Sequence, residues 1–273
     1  MNSFVQQPSF VLKGRMKLID PQAIIDPAAK IADNVIVGPW SIIGPGVEID
    51  EGTEIASHVV VRANTKIGKN NKIFQFASVG EEPADKKFEG EDTWLEIGSN
   101  NVIREGATLH RGTGFGGGVT RIGDDNLLMP YVHVAHDCIV GSHCIFANNV
   151  GISGHVEVGD WAVLGGYAGV NQFLKIGAHA MIGGMTHISN DVPAYIIVSG
   201  TPPEARSINA IGLERRGFAK SDILEIRKAF KVLYKKGNTL KEALPLLEEM
   251  AKENAQIQVF VNSIVSSTRG IQR

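Results

Sequence analysis

Large aliphatic residues recur at every sixth position over most of this chain. From Ile25 the step passes through Ile31, Val37, Ile43, Ile49, Ile55, Val61, Ile67 and Ile73 to Val79, and it resumes at Ile97, Ile103 and Leu109. It then runs from Ile122 through Leu128, Val134, Val140, Phe146, Ile152, Val158, Leu164, Val170, Ile176 and Ile182 to Ile188. That makes 25 positions, and at 11 of them the next residue is glycine, as in Val37-Gly38 and Ile176-Gly177. A period of six suits neither a helix, with its repeat of about 3.6, nor a flat strand, with its repeat of 2. It fits a short strand and a turn, repeated, and periods of this kind mark solenoids. Three such sides close one coil. The aliphatic residues then stack along the axis, and glycine serves turns that need an unusual φ or a close approach of backbones.

Two segments break the rhythm. GEEPADKKFEGEDTW, after Val79, is polar and leaves the phase intact, whereas HRGTGFGGGVTR, after Leu109, shifts it and therefore contains an inserted loop. Long loops on a rigid scaffold tend to carry function. Beyond about Pro203 the pattern turns helical. Ser221-Asp222 reads as an N-cap for a stripe of Ile223, Ile226, Phe230 and Leu233, and Gly237 closes it. Thr239 to Glu242 forms a capping box, and a third amphipathic segment spans 257–264. The expected division is an N-terminal extension over 1–19, a mainly β solenoid over 20–202 with loops at 80–96 and 110–121, and a helical domain over 203–273. Met16 is an alternative start.

Composition narrows the function. The 31 glycines among 273 residues are in excess, which the turns explain. Twenty-seven basic against 29 acidic residues give a net charge of −2, so the electrostatic footprint of a nucleic-acid binder is missing. Cys138 and Cys144 make neither a disulfide framework nor a metal knuckle. The first twenty residues lack an apolar core for a signal peptide, and no run is long enough to span a membrane, so a cytoplasmic protein is expected. Between Ala205 and Lys241 ten basic residues face three acidic ones, an excess of seven that suits an acidic ligand or partner.

With three hexads per coil, positions three hexads apart share a face. His136, His155, Asn171 and Gln172 then fall together over three successive coils, with His133 at the corner leading in and the glycine-rich insertion about one coil earlier. Asp137 follows His136 directly, and a carboxylate beside an imidazole fixes its tautomer and raises its basicity, as general-base work requires.

The stretch HVAHDCIVGSHCIFANNVGISGHVEVGDWAVLGG resembles the UDP-N-acetylglucosamine O-acyltransferases that begin lipid A synthesis, and so do NKIFQFASVG, TWLEIGSNNVIREGATLHRGT, DVPAYIIVSG and INAIGLERRGF. The likeness covers residues 17–273. It implies a left-handed parallel β-helix with a C-terminal helical domain and a homotrimer with active sites between subunits. It also implies transfer of a 3-hydroxyacyl chain from acyl carrier protein to the 3-hydroxyl of UDP-N-acetylglucosamine, without cofactor or metal. By match to the family motifs, His136 would be the general base, Asp137 would orient it, and the Gly154 N–H would stabilise the oxyanion. Asp85, Lys87, His133, His155 and Gln172 match sugar-nucleotide or acyl contacts, and Asn209, Arg215 and Arg216 match nucleotide contacts. Gly184 matches the position that limits acyl length, with Met185 beside it, so an open groove and a long donor are expected. Asn171 stands where many relatives carry histidine, and Ile211 replaces a carboxylate.

Three rivals differ in testable ways. The related N-acyltransferases carry a uridine-binding domain ahead of the solenoid, for which hexads starting at Ile25 leave no room. Zinc-dependent β-helix hydratases use three histidines, but His110, His133 and His136 lack their spacing. A purely structural solenoid would not gather His136, His155 and Gln172.

Overall fold

The computed structural model describes residues 18–273, so most of the expected N-terminal extension and Met16 lie outside the described residues. The chain winds into a left-handed parallel β-helix with helices after it. Most strands are two residues long, and along the column they stack into three parallel faces. The first face has nine strands beginning at Ile24–Ile25, the second eight beginning at Lys30–Ile31, and the third ten beginning at Ile36–Val37, the last of which runs antiparallel. Successive coils pair three hexads apart, as in Ile24↔Ile42 and Ile42↔Val60. The column starts one hexad before the first one read from the sequence, because Ile19 bridges to Val37.

Each hexad has two inward positions. Val35 and Val37 both point in and Ile36 is less buried between them, an alternation that strand geometry dictates. The large aliphatic residue fills the centre of each side, and the residue two before it, small or medium in size, fills the corner. That second position holds Ser41, Thr53, Asn71, Asn101 and Asn126 as well as apolar groups, all of them buried. The asparagines form an internal ladder, in which Asn101 N–H donates to Asn71 Oδ1 at 2.9 Å and Asn126 N–H to Asn101 Oδ1 at 2.9 Å. Cys144 tops it, its N–H donating to Asn126 Oδ1 at 2.7 Å, and burial pushes its thiol up to about 12. Cys138 is likewise a buried free thiol, so both cysteines are inward fillers.

The turns use glycine differently from the simplest expectation. The left-handed residue of each corner is mostly not glycine: Trp40, His58, Asn70, Asp137, His155, Trp161 and Met185 all have φ between 55° and 63°. Except for Gly80, whose φ is 79°, the glycine after an aliphatic residue has an ordinary φ and lies against the coil above. A Cβ on Gly38 would sit 2.7 Å from Ser57 N and 2.8 Å from Ala56 C. Close approach is what excludes a side chain there.

Both insertions leave the same corner, from the first face to the second. Ser78 pairs with Thr108, five hexads on instead of three, so that coil carries two whole hexads of extra chain and the phase survives. Thr108 pairs with His133, four hexads and one residue on, so the second insertion is not a whole number of hexads and the phase is lost.

After the column, Ile196–Ser199 pairs antiparallel with Glu204–Ile208, a strand the helical reading of this region lacked. Four helices follow: α1 (Ala210–Arg215), α2 (Lys220–Tyr234), α3 (Leu240–Ala251) and α4 (Ala255–Val265). The capping box at Thr239 and Glu242 is formed as expected. The proposed cap at Ser221-Asp222 is not: α2 begins at Lys220 after Ala219, without a side-chain cap, and Asp222 lies in its first turn. Among the described residues no helix is long and apolar enough to cross a membrane.

Gly38→Ala forces a methyl into the backbone of the next coil, and overpacking of this kind costs about 1–3 kcal/mol. Gly151→Ala meets nothing within 4 Å. Chemical denaturation is expected to show the first variant destabilised by that amount and the second close to wild type; equal effects would contradict the close-approach account.

Candidate functional site

The corner that emits both loops also carries the histidine cluster. His136 and His155 are separated by three hexads and one residue, so they do not stack on each other. His136 lies over Gly154, where a Cβ would be 2.5 Å from its Cε1, and His155 lies in the column of Asp137 and Phe173. The two imidazoles meet edge to face at 5.1 Å, and His155 stacks on Phe173 at 4.4 Å. These residues sit at a corner and not on a flat face, while His133 sits in a first-face strand instead of at the corner.

Asp137 organises the cluster. Its side chain is 1% exposed, and Oδ2 lies 2.8 Å from His136 Nδ1. Thr113 N–H donates to Oδ1 at 2.9 Å and Thr113 Oγ1 donates to Oδ2 at 2.6 Å. The Asp137 N–H donates to Thr120 Oγ1 at 2.7 Å. Burial pushes the carboxyl up, but the hydrogen bonds from His136 and Thr113 outweigh it and hold the group below the usual carboxylate range. An ionised Asp137 accepting from Nδ1–H leaves the His136 Nε2 lone pair free, and Nε2 faces Asp85 Oδ2 at 3.9 Å.

Thr113 was not among the residues singled out from the sequence, although the phase break that delivers it was. The inserted loop folds back so that a Cβ on Gly116 would overlap the Asp137 carboxylate. Arg111, buried, ties the two loops together: its N–H donates to Glu81 O at 3.0 Å, its guanidinium reaches Glu82 at 3.5 Å, and it lies over Phe88. That tie brings Asp85 to His136 and sets Lys87 Nζ 5.8 Å from the Phe115 ring.

A cleft of about 310 Å³ opens beside His136, lined also by His110, His133, Gly154 and His187. Burial lowers His110 and His133, so both are neutral imidazoles near neutral pH. His133 Nδ1 is 2.8 Å from Thr108 Oγ1. Gly154 is buried, and its N–H has no hydrogen-bond partner among the described residues. Gln172 and Asn171 are exposed at the same corner. Gly184 and Met185 occupy the corner between the third and first faces, with Met185 79% exposed, and His187 between them and the cleft belongs to its lining.

Asn209, Arg215 and Arg216 are brought together, but at the corner between the second and third faces. They line a groove of about 1050 Å³ between α1, α2 and the third face, with Ile145, Val163, Met181, Phe230, Lys231 and Lys235. Asn209 caps α1 through Oδ1, accepting from Gly212 N–H at 3.2 Å, and its Nδ2 donates to His179 O at 3.0 Å. Arg216 reaches His179 Nδ1 at 3.1 Å and covers Trp161; burial, then this guanidinium, lowers His179 to about 4. Exposed Ile211 lies on the same rim. Within one chain this groove and the His136 cleft share no lining residue.

Comparison with known proteins matches residues 191–272 to the family model of UDP-N-acetylglucosamine O-acyltransferase, domain 2, and residues 28–63 and 119–154 to that of the bacterial transferase hexapeptide. An acyl-[acyl-carrier-protein]–UDP-N-acetylglucosamine O-acyltransferase of Pseudomonas putida strain GB-1 is 54% identical over 205 residues, covering 75% of this chain and 80% of that protein. The structure of LpxA from Acinetobacter baumannii matches with a TM-score of 0.91 and 51% identity, over 94% of this chain and all of that one. The UDP-N-acetylglucosamine acyltransferase of Francisella novicida matches with a TM-score of 0.92 and 44% identity, over 93% and 94% of the two chains.

A carboxyl held below its ordinary value of about 4 stabilises the fold above that pH and loses the contribution as pH falls through its folded value. The stability difference between wild type and Asp137→Asn, measured by denaturation across pH, is therefore expected to be largest near neutrality and to shrink in acid. A difference independent of pH would show that the carboxylate charge is not what Thr113 and His136 hold.

Proposed function

This chain belongs to the UDP-N-acetylglucosamine O-acyltransferase family, and from that premise we propose that it moves a 3-hydroxyacyl chain from acyl carrier protein to the 3-hydroxyl of UDP-N-acetylglucosamine, the first step of lipid A synthesis. The observation that carries the mechanism is the chain of contacts from Thr113 through Asp137 to His136, with an unpartnered Gly154 N–H beneath the imidazole. The sugar hydroxyl is a poor nucleophile until its proton has an acceptor. His136 Nε2 takes that proton as the oxygen attacks the thioester carbonyl, and Asp137 stabilises the resulting imidazolium. The Gly154 N–H donates to the oxyanion, a task suited to a fixed backbone donor. Collapse breaks the C–S bond, leaves the new ester C–O bond, and returns the proton from His136 to the departing thiolate. No metal or other cofactor enters.

Asp85, Lys87, His133, His155 and Gln172 surround the reacting groups as sugar and acyl contacts. The nucleotide contacts Asn209, Arg215 and Arg216 stand at a different corner from His136, which supports a homotrimer whose sites combine one chain's His136 corner with a neighbour's helical corner. The basic surface of α1 and α2 suits an acidic carrier protein.

Incubation with UDP-N-acetylglucosamine and hydroxyacyl carrier proteins of several lengths, with products identified by mass, tests the assignment. His136→Ala is expected to lower turnover by about 10²–10⁴ with assembly intact, the usual range for a general base. Near-normal kcat would sink that role.

The acyl position gives a second test. Gly184 offers no side chain, so the groove stays open, and four more buried methylenes favour a longer donor by about 3 kcal/mol before ordering costs. Gly184→Met is expected to shift competing donors toward the shorter product. A Cβ there lies 3.2 Å from Gly166 O, which asks for only a small local adjustment. A wild type that already makes the short product would point to Met185 as the stop.

A further inference from the structure

The groups that make His136 a base also compose a set of metal donors. His136, Asp137 and His155 each offer one ligand atom, and these atoms lie within 4.8 Å of one another. Tetrahedral zinc, at about 2.0–2.1 Å from nitrogen and oxygen, needs donor atoms about 3.3 Å apart. Asp137 Oδ2 is 2.8 Å from His136 Nδ1 and 3.7 Å from His155 Nε2, each within about half an ångström of that spacing, and all three donors lie within 4.8 Å. The supporting contacts are already in place. Thr113 fixes the carboxylate through two hydrogen bonds, the kind of outer contact that orients metal ligands. The side chains of His136 and His155 keep 14% and 18% exposure, enough to admit an ion from the cleft.

We propose that His136, Asp137 and His155 form an inhibitory site for a divalent transition ion of the zinc class. The inhibition follows from the tautomer and rests on the general-base role of His136. A neutral imidazole has one nitrogen lone pair. In the free enzyme Nδ1 carries the proton, donated to Asp137, and Nε2 accepts. An ion on Nδ1 moves that proton to Nε2 with no net release, so the nitrogen facing the cleft becomes a donor and can no longer take the sugar proton. The ion also replaces the His136 hydrogen bond on Asp137, leaving Thr113 as the carboxylate's remaining partner. The site thus acts against the reaction, in line with a mechanism that uses no metal.

Titration of EDTA-dialysed full-length protein with Co²⁺ reads binding directly through visible d–d absorption, and Zn²⁺ should displace it at one ion per chain. His155→Gln and His136→Gln are each expected to weaken binding at least about tenfold, since outer-contact changes alone cost 10–100-fold. His58→Gln, at a distant corner, should leave binding unchanged. In wild type, Zn²⁺ should protect His136 and His155, but not His58, from carbethoxylation read by mass spectrometry, a measurement that needs no variant to fold. Zn²⁺ should inhibit acyl transfer and EDTA should restore it. Binding that ignores both substitutions, absence of protection, or bound ion without inhibition would each overturn the proposal. Near-normal turnover by His136→Ala would instead remove the general-base reading, while the Co²⁺ titration would still report on the ligand set.

Discussion

The parallel register of three hexads per coil governs everything else in this molecule. Strands only two residues long have little pairing of their own, and each is stable because the coils above and below hold the same three faces in step. A residue added anywhere shifts every inward side chain after it, unless it is absorbed in a loop that returns the chain to the same face. The two insertions here are absorbed at one corner, so the column remains regular while the extra chain folds over a single edge. That edge carries the histidine cluster.

Electrostatics at the edge depend on one buried carboxylate. Asp137 occupies a left-handed corner position, is almost wholly buried, and stays ionised because donors on two separate segments converge on it. Its charge sets the orientation of His136, while Gly154 in the adjacent coil leaves space for the ring and has an unpaired N–H among the described residues. A side chain at position 154 would displace the imidazole. The solenoid therefore assembles the proposed base and its orienting carboxylate by stacking, with the coil spacing of about 4.8 Å setting distances that a more irregular fold would need many contacts to fix.

The prism shape also bears on the proposed assembly. His136 lies between the first and second faces, and Asn209, Arg215 and Arg216 lie between the second and third. A rigid column cannot bend to bring two of its own edges together, so a site that uses both has to form between copies. The stacked rings His143, Trp161 and His179 stiffen the second edge, and Arg216 seals it.

The sequence by itself determined the column, because an aliphatic residue in each hexad is a period no other regular structure shares, and its breaks located both loops. It also placed His136, Asp137 and His155 within three coils of each other, and its motifs named the family. It did not show that the residue two before each aliphatic one points inward, because that position accepts Val, Ala, Cys, Ser, Thr and Asn alike and carries no hydropathy signal. Nor did it show that His136 lies over Gly154 while His155 lies over Asp137, since a one-residue offset is invisible at the resolution of hexads. Thr113 on Asp137 and Arg111 on Glu82 were decided only by the tertiary structure. Loops escape the register that makes the rest of the chain readable, and where they land depends on contacts between segments the period does not relate.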